Sequence, residues 1–219
     1  MDKELLALLW EGTLQTLYMT VVSTALAYII GMPLGVLLTI SDTNGIRPMK
    51  PLNAVLGFIV NLLRSVPFLI LLVFIIPFTR VIVGTSIGST ATIVPLVVAA
   101  APFVARMVES SLKEVDAGVI EASQSMGAKP IQIIMKVLIP EAKPSLLVGG
   151  AIAITTILGY SAMAGFVGGG GLGTIAINYG YYRYDNEMMI ITVLLLVIIV
   201  QIFQEIGMLI SKKSDKRIK

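Results

Sequence analysis

Cysteine and histidine are both missing from this 219-residue chain. Their absence removes thiol nucleophiles, disulfides, the usual zinc sites and the imidazole general base. Any catalysis would have to run on carboxylates, hydroxyls or lysines. Charge is also scarce, at 13% of residues, and every Asp and Glu falls outside the long apolar stretches or at their ends. Glu109 and Glu205 read as such solvated ends. A proton-driven carrier normally places a carboxylate or histidine within a span, and none is expected here. A GK[ST] phosphate loop is missing too. No lysine follows the glycines at 168–171 in that pattern, and the nearest approach, Gly207 to Ser214, has Lys212 where the second glycine belongs. The chain therefore does not hydrolyse ATP by that route. The C-terminal KKSDKRIK abuts an apolar stretch and reads as an interfacial anchor, so no nucleic-acid partner follows from it.

What the chain has is apolar surface. Its composition is 56% hydrophobic and its mean hydropathy is +0.92, more than a soluble domain could cover. About 20 apolar residues cross the hydrocarbon core, and five stretches qualify: 16–40, 52–78, 87–107, 145–167 and 188–210. The expectation is an all-α, multi-pass membrane protein with five transmembrane helices in one domain, and no linker divides it. Of the 16 Lys and Arg, twelve fall in one set of connections and three (Lys3, Arg80, Arg183) in the other, with Arg64 in the second stretch. The positive-inside rule then puts the N-terminus outside and the C-terminus in the cytoplasm. The first 12 residues, LLALLW among acidic neighbours, predict a short interfacial helix with Trp10 at headgroup depth. Ala25-Leu26-Ala27 has the form of a cleavage site, but the acidic start and the apolar run beyond it argue against a signal peptide.

The second stretch is the least regular, because it holds Asn53, Asn61, Arg64 and Pro67. It spans as written, or starts near Leu62 and leaves its earlier part at the interface. Pro67 predicts a helix break, and Arg64 either lies in the bilayer, where such a residue tends to be functional, or snorkels to its edge. The glycines between Gly165 and Gly173 predict a flexible turn or a short re-entrant segment. Tyr179, Tyr181, Tyr182 and Tyr184 suit an interface. Tyr160, Ser161 and Met163 lie in a small, hydroxylated run that reads as helix packing or, with Arg64, as part of a translocation pathway.

The longest polar interval is 116–144, DAGVIEASQSMGAKPIQIIMKVLIPEAKP. It predicts two short helices. Asp116 caps the first, Gly127 ends it in a left-handed conformation, Pro130 opens the second, and Pro140 and Pro144 close it. Ile131, Ile134, Met135 and Leu138 recur at i, i+3, i+4 and i+7, so the second helix has one apolar and one wet face. Such a segment lies on a surface or docks into a groove. Glu121 has no partner carboxylate, nucleophile or metal ligand set beside it, so it reads as a surface charge or a polar contact to another protein.

Glu121-Ala122-Ser123, Gly127 six residues after the glutamate, and Ile139-Pro140 resemble the EAA loop of ABC-importer permeases. Ser123 stands where the commonest pattern has a second alanine. The likeness extends along nearly the whole chain to the methionine-importer permeases within that family, through LRSVPFLILLVFIIPFTRVIVGTSIG, VPLVVAAAPFVARMVESSL and GYSAMAGFVGGGGLG. The resemblance implies a type I ABC-importer permease fold and coupling of Glu121, Ala122, Ser123, Gly127, Ile139 and Pro140 to an ATPase. It also implies a homodimer in a bacterial inner membrane with two ATPase subunits, which hold the ATP and magnesium, and an extracytoplasmic methionine-binding lipoprotein. This chain would itself bind no cofactor and catalyse no reaction. A self-sufficient channel or carrier for small amino acids is the alternative.

Overall fold

The computed structural model describes residues 3–214, and among these the chain is helical, with no strand. In chain order the helices are α1 (Lys3–Ser41), α2 (Lys50–Ser65), α3 (Phe68–Phe74), α4 (Ile76–Val83), α5 (Ser89–Lys113), α6 (Ala117–Ser125), α7 (Pro130–Ile133), α8 (Ile139–Glu141), α9 (Lys143–Met163), α10 (Gly171–Ile175) and α11 (Asn186–Ser214). Wider π turns cover Ile134–Leu138 and Ala176–Tyr181, and a 3₁₀ turn covers Ala164–Val167. Four helical tracks are long and apolar enough to cross a membrane: α1, α5, Lys143–Tyr181 and α11. α2 and α3 make a fifth if they are taken as one span, bent by 99°.

One feature differs from the sequence reading, and one agrees with it. The expected interfacial helix at the N-terminus is the opening of α1, whose 39 residues run without a break. Gly12 alone does not interrupt it, because Leu9 beside it is buried in a core cluster and holds the first turns in register. The second stretch breaks at Pro67, which serves as the N-cap of α3 with φ −58° and ψ 134°. The proline ring excludes the helical conformation of the residue before it, so Val66 leaves the helix and the chain turns.

The described residues divide into two compact units. The first takes the chain as far as Ala27, then Val66–Ala100 and Ala153–Gln204; the second takes Tyr28–Ser65, Ala101–Ile152 and the chain from Glu205. In the first, Leu9, Leu158, Leu172, Ile175, Met188 and Ile199 form the core. The glycine-rich segment doubles back here into the short helix α10 rather than forming a free turn. Gly168, Gly170 and Gly171 all have positive φ, a region closed to most side chains. Its backbone is satisfied by neutral groups of other helices. The Gly171 N–H donates to Gln15 Oε1 (2.8 Å) and the Leu172 N–H to Thr16 Oγ1 (2.9 Å). Thr92 Oγ1 donates to the Gly169 carbonyl (3.1 Å) and the Gly88 N–H to the Gly168 carbonyl (2.9 Å).

In the second unit α1 and α5 meet through Gly31 and Gly35, four residues apart. A Cβ at Gly35 would lie 2.5 Å from the Ala105 carbonyl oxygen and 2.6 Å from Val108 Cβ. Only glycine lets the two helices approach so closely. Asn53 of α2 donates to the Leu38 carbonyl (2.7 Å) and to Ser41 Oγ (3.1 Å). The start of α2 is thereby tied to the end of α1.

Candidate functional site

The 116–144 loop lies in the second unit and folds as its residues direct. Asp116 caps α6, its Oδ1 accepting from the Gly118 N–H at 2.7 Å. Gly127 ends it with φ +77°. The Gly127 N–H donates to the Gln124 carbonyl (2.9 Å) and the Ala128 N–H to the Ser123 carbonyl (3.1 Å). That pair of bonds satisfies the last carbonyls of the helix and needs a left-handed residue between them. Lys129 then donates its N–H to Gln132 Oε1 (2.8 Å) as the chain enters α7 at Pro130.

Beyond Pro130 the expectation needs correcting. Pro140 and Pro144 do not close the second helix. The helical track continues through the π turn, α8 and into α9, interrupted only at Ala142. Both prolines sit in first turns, where the missing N–H costs little. The ring of Pro140 would press on the carbonyl four residues earlier, and the wider π turn just before it makes room. The apolar face also divides. Ile134 and Leu138 are buried together with Ile133, whereas Ile131 and Met135 stay 62% and 58% exposed. With Val119 and Met126, the latter 80% exposed, they leave an uncovered apolar patch on the loop.

The structure places Glu121, Ala122, Gly127 and Pro140 on the surface and Ile139 half-buried. Ser123 is buried and donates to the Val119 carbonyl (2.8 Å), so it faces the body of the protein. The four pathway candidates are divided between the two units. Arg64 is exposed in the last turn of α2 and belongs to the second unit. Tyr160, Ser161 and Met163 belong to the first. Tyr160 stacks on Phe68, centroids 4.5 Å apart and nearly parallel. Ser161 is buried and donates to the Leu158 carbonyl (2.7 Å), and Met163 is exposed.

Beside the loop lies a cluster that the sequence reading passed over. Glu109 is not a solvated end: it is only 7% exposed. Its carboxylate accepts from Arg106 Nη1 (2.6 Å) and from Lys113 Nζ (2.9 Å). Arg106 Nη2 donates to the Gly57 carbonyl (3.1 Å) and to Asn61 Oδ1 (2.9 Å) of α2, and Lys113 Nζ reaches Asp42 Oδ2 (2.6 Å) after α1. The Lys113 ammonium, and next the Thr43 N–H, hold the Asp42 carboxyl below its ordinary value. The i, i+3, i+7 spacing of Arg106, Glu109 and Lys113 was a legible signal, since it puts all three on one helix face. A hollow of about 410 Å³ opens next to this cluster, lined by Asp42, Lys113, Ile120, Glu121, Gln124 and Leu138 among others.

Comparison with known proteins agrees with this architecture. Residues 31–219 match the family described as binding-protein-dependent transport system inner membrane component. A probable D-methionine transport system permease protein MetI of Vibrio cholerae is 53% identical over 210 residues, covering 96% of this chain and 93% of that protein. The D-methionine transport system permease protein MetI of Escherichia coli K12 is 53% identical over 165 residues, 75% of this chain and 76% of that one. A solved structure showing inward facing conformations of the MetNI methionine ABC transporter superposes with TM-score 0.97 at 50% identity, covering 99% of this chain and 100% of that one. An amino acid ABC transporter solved with histidines, at 21% identity and TM-score 0.79, covers 96% and 95% and shares the fold. This chain belongs to the family of inner-membrane components of binding-protein-dependent transport systems.

Proposed function

We propose that this chain is the membrane-spanning subunit of an ATP-driven importer that carries methionine and close analogues into the cytoplasm. Two copies form the pathway, two ATPase subunits supply the energy, and an extracytoplasmic methionine-binding lipoprotein delivers the substrate. The relatives that are at least half identical to this chain over the aligned residues are named for methionine transport. The observation that carries the reading of mechanism is the exposed, doubly capped turn between α6 and α7. With the residues beside it, it presents Glu121, Ala122, Met126, Lys129, Ile131 and Met135 to the surface, a small apolar projection with charges of both signs, suited to a groove on a partner.

In this reading the loop and the C-terminus face the cytoplasm and the N-terminus lies outside, a topology that the distribution of cations supports. Glu121 makes a polar contact to the ATPase, and Ala122 and Gly127 allow its surface to come close. Ser123 supports the helix from beneath, and Ile139 and Pro140 set the exit toward α9. ATP, with its magnesium, is bound and hydrolysed on the partners, and this chain catalyses no reaction. As the ATPases close and reopen, the two loops move with their grooves. The two copies thereby alternate between outward-open and inward-open states, which is how differential binding of ATP does work on the pathway. Met163 and Tyr160 are the candidates for lining it, with Arg64 at the end of α2. The Ser161 hydroxyl is already bonded within its helix.

The test is labelled-methionine uptake into vesicles holding this chain, with and without the ATPase and the binding protein. Uptake should require all three with ATP, and Gly127→Val should weaken ATPase recovery while leaving membrane insertion intact. Energy-coupled uptake without any ATPase would overturn the importer reading. ATPase dependence with no response to methionine would overturn the substrate alone.

A further inference from the structure

We infer that Glu109 is a positioning residue for transport. It clamps α5, α2 and the turn after α1 into one body, so that a displacement of the coupling loop is passed on to α2 instead of being absorbed where α5 ends. The inference rests on the importer reading above. Its geometry is a single chain of charged contacts: Asp42 to Lys113 (2.6 Å), Lys113 to Glu109 (2.9 Å), Glu109 to Arg106 (2.6 Å), and Arg106 to Asn61 (2.9 Å) and Gly57 (3.1 Å). The contacts begin on the turn after α1, cross one face of α5 and end on α2. Lys113 is the last residue of α5, and α6 starts at Ala117.

The hollow lined by Ile120, Glu121 and Gln124 and by Asp42 and Lys113 shows that α6 does not rest flat on the clamp. A push on α6 therefore enters α5 through the short connection after Lys113, at the residue that both Asp42 and Glu109 hold. Without those contacts the end of α5 could fray or tilt under load, as helix termini do. With them, three segments must move together. Two discrete packings of such a body, rather than elastic bending, are what pass a signal across a protein. A buried carboxylate between two cations suits this role, because drawing Arg106 and Lys113 away from Glu109 would leave its charge unpaired and out of water.

The experiment measures methionine taken up per ATP hydrolysed by the assembled complex with its binding protein in vesicles. The variants are Lys113→Met, Lys113→Arg and Glu109→Gln. Lys113→Met should keep ATP hydrolysis but lower the uptake per ATP by about threefold or more, within the range found for residues on a coupling route. Lys113→Arg, which reaches both carboxylates, should restore it, and Glu109→Gln should lower it further. Lys113 is partly exposed, so its pair of variants decides the matter even if Glu109→Gln fails to assemble. The inference is overturned if Lys113→Met leaves the ratio unchanged, if uptake and hydrolysis fall in equal proportion, or if Lys113→Arg does no better than Lys113→Met. If the unaltered complex shows no ATP-dependent methionine uptake, the importer reading fails and takes the clamp with it. Normal transport with an unmoved ratio rejects the clamp alone.

Discussion

The two compact units hold their polar groups in opposite ways. In the first, the doubling-back segment is secured by neutral partners, Gln15, Thr16 and Thr92, bonded to glycine backbone. In the second, the ion pairs found among the described residues run along α5 and tie it to the turn after α1, and Arg106 extends them to α2 through a hydrogen bond to Asn61. The difference follows from what each must satisfy. A turn built on positive φ exposes backbone N–H and carbonyl groups that a helix would have paired, and each costs free energy if left bare in apolar surroundings. A hydroxyl or amide meets that need without the penalty of desolvating a charge. Among the described residues the second unit has no such turn within its long helices, and Asn53, Lys113 and Asp42 tie helix ends together. There, long charged side chains can bridge segments too far apart for a threonine.

Four measurements would break or sharpen this contrast. The largest effect is expected at Gly35 in the second unit. Gly35→Leu forces α1 away from α5 and should destabilise the protein by about 3 kcal/mol, read as a large fall in the thermal midpoint of the purified complex. Next is Thr16→Val in the first unit, which leaves the buried Leu172 N–H without an acceptor and should cost about 2 kcal/mol. Amide exchange at residues 171–175 should rise with it. Thr13→Val is the control, because Thr13 donates only to the Leu9 carbonyl of its own helix, and it should be nearly silent. A silent Thr16→Val would show that the first unit does not depend on these hydroxyls.

Smaller again is Gly127→Ala. No atom lies within 4 Å of where its Cβ would sit, so only the left-handed backbone resists, by about 1 kcal/mol. Gly127→Asn should be milder, and thermal midpoints of the two variants would rank them. The smallest effect concerns Asp42. Its carboxyl is held below the ordinary value in the folded protein, so its contribution is present above the unfolded value and is lost as pH falls through the lowered one. Asp42→Asn should therefore be less stable than the unaltered chain by a constant margin above about pH 4. The two should converge only in stronger acid, and a margin that grows as the pH falls would contradict this.

Much of the loop was legible because its signals are local. A cap at Asp116 and a left-handed glycine at Gly127 are choices made within six residues of backbone, and the structure carries both. The face of the following helix was not legible beyond Pro130. The i, i+3, i+4, i+7 rule assumes an even 3.6-residue winding, and the π turn at Ile134–Leu138 rotates what comes after it. Val66–Pro67 showed where α2 must end, but not that the turn to α3 would be 99°. Glu109 was misread for a different reason. A charged residue near a span's end is ordinarily wet, and only the approach of α2 and the turn after α1 encloses this one.

The sequence by itself determined that the chain is helical and membrane-embedded, and where the loop turns, because length, hydropathy and capping act over short distances along the chain. The tertiary structure alone decided that Gly165–Gly173 folds back onto Gln15 and Thr16, that Gly31 and Gly35 admit α5, and that Glu109 lies between Arg106 and Lys113 out of water. Each of these depends on contacts between segments far apart in the chain, and no local propensity encodes the distance at which two helices come to rest.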